Sequence, residues 1–253
     1  MKTKTKRRLA GAAGILIVLA LLLFVDAFTG DPISRAWAEW QAVRRAENLY
    51  PGQTFYVERS SGGGSFIYQV DVQSMESRDT HFTVSTRFWL FVSDRAEELV
   101  ENGWNTCYRM GEEAAEQAAV ALAKQAPELE LAAVYGAEKR RVELDLAWEP
   151  SADGGRLPYT GEYAGVFARD AAFDPAILQK VPSRLCVQVL WNGAPDEEDL
   201  AEVQRTVKQV MEDNGFPIAW YDITLVPMDG YDSYEELQGM VVESGPVAAA
   251  DIA

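Results

Sequence analysis

The sequence predicts an α+β protein: an N-terminal transmembrane helix, a domain of one helix plus an antiparallel meander, and a second α+β domain. Three observations carry that class. A basic cluster precedes a long apolar run, Leu9 to Phe28. A helical period after Asp31-Pro32 then gives way to stretches that alternate apolar and polar residues. Near the other end, two alternating stretches flank one amphipathic helix, the pattern of a strand–helix–strand unit.

Residues 1–8 form a basic tail, with Lys2, Lys4, Lys6, Arg7 and Arg8. Leu9 to Val25 is unbroken apolar sequence, and at about 1.5 Å per residue it reaches roughly 25 Å; Ala27 and Phe28 bring the segment 9–28 to about 30 Å, the thickness of a hydrocarbon core. An ordinary signal core is shorter, about 7–15 residues, so length favours an uncleaved anchor. Val25-Asp26-Ala27 is nevertheless acceptable to a signal peptidase, and cleavage there would release a soluble chain. In either case the basic flank stays cytoplasmic and the rest is exported. The expected partner of Leu9 to Phe28 is therefore the membrane itself.

Five of the 23 Lys/Arg but only one of the 39 Asp/Glu fall within residues 1–30, so a chain of net charge −16 carries about −20 on its exported part. Such a surface repels phosphate backbones and anionic headgroups, which argues against nucleic-acid binding and against peripheral lipid binding. Cys107 and Cys186 can form a disulfide after export or remain independent thiols.

The first domain is assigned to 31–126. Asp31 reads as the N-cap and Pro32 as the first helical position, followed by Ile33, Ala36, Trp37, Trp40 and Val43 on one face, which predicts a core-facing stripe, with a place in the membrane headgroup region as the alternative for the two tryptophans. Tyr50-Pro51-Gly52 ends the helix. Thr54–Arg59 and Phe66–Val72 alternate around Ser61-Gly62-Gly63-Gly64, which predicts a hairpin; no lysine accompanies the glycines, so this is no phosphate loop. After the polar break 73–79, Phe82, Val84, Phe88 and Leu90 share one strand face. His81 is the chain's single histidine. With no nucleophile motif near it and only two distant cysteines, it reads as structural rather than catalytic or zinc-binding.

Four phrases, "GDPIS" (30–34), "YPGQ" (50–53), "DTHFTV" (79–84) and "DRAEELVENGWNTCYRM" (94–110), resemble in order and spacing the YfjL-like family of Gram-positive bacterial proteins. The resemblance covers roughly 9–110 and implies a membrane-anchored exported protein with two small domains and no assigned activity. Cys107 directly after "GWNT" and the aromatic "RFWLFV" depart from that pattern.

Met110–Gln125, rich in alanine and glutamate, predicts a helix closed by Ala126-Pro127. The second domain is assigned to 127–243. Leu129–Tyr135 and Arg141–Trp148 are candidate strands, 149–161 is a loop, and Asp174-Pro175 opens a short helix over 173–180. Arg184–Trp191 is a strand. Pro195 and the acids Asp196–Asp199 open a helix with the buried stripe Leu200, Val203, Val207, Val210 and Met211, ended by Asn214-Gly215; Ile218–Val226 is the next strand. Consecutive acids on a helix point in different directions, so 196–199 is a helix-start feature and no metal cluster. Asp229, Asp232 and Glu235 lack the calcium-loop pattern, and Ser233 with Glu236 reads as a capping box. Residues 244–253 are expected to be disordered.

The residues contain no nucleotide, metal or nucleophile motif, and no cofactor is expected. A non-catalytic binding module of the cell envelope is the favoured function. Two alternatives stay open: a hydrolase using paired carboxylates, which spacing alone cannot expose, and a structural envelope component associating through Ala10-xxx-Gly14.

Overall fold

A computed structural model describes residues 11–18, 21, 24, 32–62, 67–88, 90–131, 142–150, 161–228 and 234–252. It divides into two compact units, Met1–Glu101 and Asn102–Ala253. Residues 11–18 are helical with exposed side chains. Among the described residues no helix is long and apolar enough to cross a membrane, and much of 9–28 lies outside them. Asp31 does too.

In the first unit, α1 (Pro32–Leu49) packs on a four-stranded antiparallel meander of β1 (Phe55–Gly62), β2 (Ile67–Ser74), β3 (His81–Arg87) and β4 (Phe91–Asp94), ordered as in sequence. The predicted hairpin over β1 and β2 is present. Gly62 has φ 153°, and a Cβ there would lie 2.6 Å from the Ile67 carbonyl oxygen, so this corner admits only glycine. The core joins Phe55, Tyr68, Val70, Val72, Phe82 and Val84 to Ala38, Ala42 and Ala46 of α1.

Two expectations are corrected here. The face of α1 that meets the sheet is Ser34, Ala38, Ala42 and Ala46, while Trp37 and Trp40 are 47% and 48% exposed and Ile33 is 78% exposed. Residues four apart stack along one face of a helix, and a seam of alanines lets the backbone approach the sheet closely where tryptophans would prop it away. The strand through His81 also ends at Arg87, where the Leu90 amide donates to the Arg87 carbonyl and Phe88 adopts φ 51°. That reversal takes Phe88 and Leu90 off the buried face of Phe82 and Val84 and leaves both exposed.

The second unit begins earlier than the expected 127. Its α2 (Trp104–Gln125) turns Met110, Gly111, Ala114, Ala118, Ala121 and Leu122 into the same core as the strands that follow. Gly111 explains the placement: a Cβ there would sit 2.6 Å from the Leu144 carbonyl oxygen, so α2 lies directly on a strand of this unit. The strands are β5 (Glu130–Leu131), β6 (Val142–Leu146), β7 (Ser183–Trp191), β8 (Trp220–Pro227) and β9 (Val242–Ala248). Their order is β5-β7-β8-β9, with β6 also on β7; only β7 and β8 run parallel. The crossover between them is α3 (Glu197–Asp213), as the pattern predicts. Asp196 and Asp199 close a reciprocal capping box at its start, and Gly215 takes φ 74° after its end. Leu200, Val203, Val207, Val210 and Met211 are buried against Leu185, Val187, Val189, Tyr221, Ile223 and Leu225.

The expected short helix is a 3-10 turn, Pro175–Gln179, capped by the Asp174 carboxylate, which accepts from the Ala176 amide at 3.0 Å. The expected disorder of 244–253 is also corrected. Residues 242–248 form β9 on the edge of the sheet, Ile252 is buried, and its carbonyl accepts from Lys208 Nζ at 2.8 Å. A helix, α4 (Tyr234–Met240), precedes β9; Ser233, Asp229 and Asp232 lie outside the described residues, so the capping box and the calcium-like phrase do as well.

Candidate functional site

Alternation along β7 sends Leu185, Val187 and Val189 toward the helices and Arg184, Cys186 and Gln188 to the opposite face. Pairing then decides who meets Arg184: Asp145 is its partner on β6 and Trp220 its partner on β8, while Cys186 pairs with Glu143 and Asp222. The guanidinium reaches Asp145 Oδ2 at 3.1 Å and Asp222 Oδ2 at 3.3 Å. It lies 4.8 Å over the Trp148 ring, which meets Trp220 edge-on at 6.2 Å between centroids. Trp148 Nε1 and Arg184 Nε are buried donors with no hydrogen-bond partner among the described residues, an uncommon pairing because buried donors are normally satisfied.

The electrostatics of this cluster are those of a clamp. Burial pushes the Asp222 carboxyl above its ordinary range, against the opposing pull of Arg184. Burial also pushes the Cys186 thiol above its usual value, which disfavours the thiolate. Two carboxylates do face one site, but a cation lies between them. A hydrolase pair needs one acid free to protonate a leaving group and another to attack or activate water; here both are engaged by Arg184.

The sequence-predicted residues fall elsewhere. His81 is half-buried on β3, and desolvation lowers its pKa against the raising effects of Glu58, Asp79 and Asp71. Cys107 and Cys186 form no disulfide, and Cys107 Sγ donates to the Leu146 carbonyl at 3.6 Å. Among the described residues no three His, Cys, Asp or Glu side chains gather as a metal site. The Arg184 cluster escaped sequence reading because its members are dispersed over 145–222; the one visible signal was a charged residue within the alternating "RLCVQVLW".

A second feature lies on α1. Opposite the alanine seam, Trp37 and Trp40 stack at 5.0 Å, and the Arg44 guanidinium sits 5.1 Å over the Trp40 ring. Together with Pro32, Ile33 and Ala36 they line a shallow apolar depression.

No family model matches the chain, and no curated protein matches it. Among solved structures there is a crystal structure of a DUF5037 family protein from Ruminococcus gnavus, 8% identical, covering 79% of this chain and 77% of that one at a TM-score of 0.23.

Proposed function

We propose that this chain is a single-pass membrane protein of the bacterial cell envelope, with its N-terminus cytoplasmic, its two α+β units extracytoplasmic, and a binding rather than catalytic role, as the YfjL-like resemblance implies. The observation that carries the reading is the order of the first 32 residues: a basic cluster, an apolar run of bilayer length, and then Pro32 of α1 only four residues after Phe28. The Arg184 clamp supports binding over hydrolysis, because the facing carboxylates Asp145 and Asp222 are neutralised where a hydrolase would need them separate.

Carbonate extraction and the N-terminal mass of the mature protein test the anchor; protease added outside intact cells tests the topology. The expected result is a membrane-retained chain with an intact N-terminus whose bulk is digested from outside. A soluble chain beginning at Phe28 overturns the anchor, and protection from external protease overturns the topology.

A further inference from the structure

The direction of α1 over its sheet brings two exposed apolar features to one end of the first unit. Tyr50, just past the end of α1, packs against Phe55 at the start of β1, with ring centroids 6.1 Å apart. Eleven residues back along the helix, the Glu39 carboxylate accepts from Ser60 Oγ, five residues further along β1. Those separations are each about 16 Å, by a helical rise of 1.5 Å and a strand rise of 3.3 Å. The helix therefore runs back alongside β1, and its first residues lie at the level where β1 ends.

Pairing carries that level across the sheet. Gly62 faces Tyr68, Ile67 faces Arg87, and Arg87 faces Phe91. The β3–β4 reversal thus shares an end with Ile33 and Trp37. Leu90 and Phe91 at this reversal are 79% and 67% exposed. Arg87 lies 5.8 Å over the ring of Phe88, repeating the arrangement of Arg44 on Trp40. Residues 32–44 and 87–92 together hold three arginines and one acid, a local positive balance in an exported part that is otherwise strongly acidic.

We infer that this end of the first unit rests in the headgroup layer of the membrane, with Trp37 and Trp40 of α1 and Leu90 and Phe91 of the hairpin as its apolar footprint. The inference rests on the anchor reading above. If Phe28 ends the membrane-embedded run, at most about 3.5 Å per residue separates it from Ile33, which confines the start of α1 to within roughly 17 Å of the hydrocarbon boundary. Tryptophan rings prefer that depth, where the ring is shielded and the indole N–H stays hydrated, and arginines stacked on aromatics can meet lipid phosphates from the same place. The footprint holds the unit against the bilayer at two points besides the tether and fixes its orientation.

The full chain in phosphatidylcholine vesicles with a minority of phosphatidylglycerol, carrying lipids brominated near the glycerol end of their acyl chains, reports the depth of its tryptophans. The wild type is expected to be quenched. Trp37→Phe with Trp40→Phe lowers the quenching by at least about twofold, and Leu90→Ser with Phe91→Ser lowers it as well through loss of orientation, since interfacial aromatic anchors act together. All four side chains are exposed, so the thermal midpoint of each variant should match the wild type. Carbonate-retained protein quenched equally in the wild type and both variants overturns the footprint while leaving the anchor intact. Release by carbonate overturns the anchor and the footprint with it. Retained protein whose Trp37 and Trp40 are insensitive to bromine but cross-link to a second chain assigns the face to a copy of this protein and also overturns the inference.

Discussion

The two units use their helices in opposite ways. In the first, α1 meets its sheet through Ser34, Ala38, Ala42 and Ala46 and keeps its largest apolar side chains outside. In the second, α3 buries Leu200, Val203, Val207, Val210 and Met211 and keeps its charges outside. The first arrangement gains close backbone approach and frees an apolar face for another surface; the second gains apolar area, about 25 cal/mol per Å² removed from water. An apolar stripe on a helix thus reports that something covers it, while the identity of the cover depends on what the other face offers.

The sharpest way to break this contrast is Val207→Asp. Val207 is fully buried mid-stripe on α3, so an unpaired carboxylate there is expected to cost about 3–5 kcal/mol and depress the thermal midpoint strongly. An unchanged melt would place α3's stripe outside the core and erase the difference between the units.

Ala42→Leu tests the other helix. Ala42 has no exposed surface and sits at the centre of the seam, so the added methylenes must push α1 off the sheet, at about 1–3 kcal/mol. A stability equal to the wild type would mean that the seam has slack and that close approach is not what selects alanine.

Asp222→Asn sharpens the comparison from the polar side of the second sheet. The folded-state pKa of Asp222 lies above its unfolded value, so the folded protein holds that proton more tightly. Its contribution to stability is present below the unfolded value and is lost as pH rises through the raised one. The difference in stability between Asp222→Asn and the wild type should therefore shift in favour of the variant across that window, followed by melts at successive pH. A difference that is flat in pH would show that Asp222 titrates normally. The smallest expected effect is Trp37→Ser, within about 0.5 kcal/mol of wild type. A larger loss on denaturant titration would mean that the tryptophan contributes to the core of the first unit.

Local periodicity made much of this architecture legible. The hairpin around the glycines, the acidic start of α3 and the β7–α3–β8 crossover all follow from signals carried along single stretches of sequence. The Arg184 cluster was not legible, because meeting Asp145 and Asp222 requires the registers of β6 and β8 on β7. Strand β9 was missed because Gly245 and Pro246 read as loop, although an edge strand tolerates both.

By itself the sequence determined the α+β class, the acidity of the part after residue 30, the membrane-length apolar run and the buried stripe of α3, since each depends on composition or spacing along one segment. Tertiary structure alone decided that α2 belongs with the second core, through Gly111 against Leu144. It decided that the tail completes a sheet, and that α1 turns alanines rather than tryptophans inward. The physical reason is common to all three: periodicity states which residues share a face, whereas the direction of that face depends on the shape and spacing of distant partners.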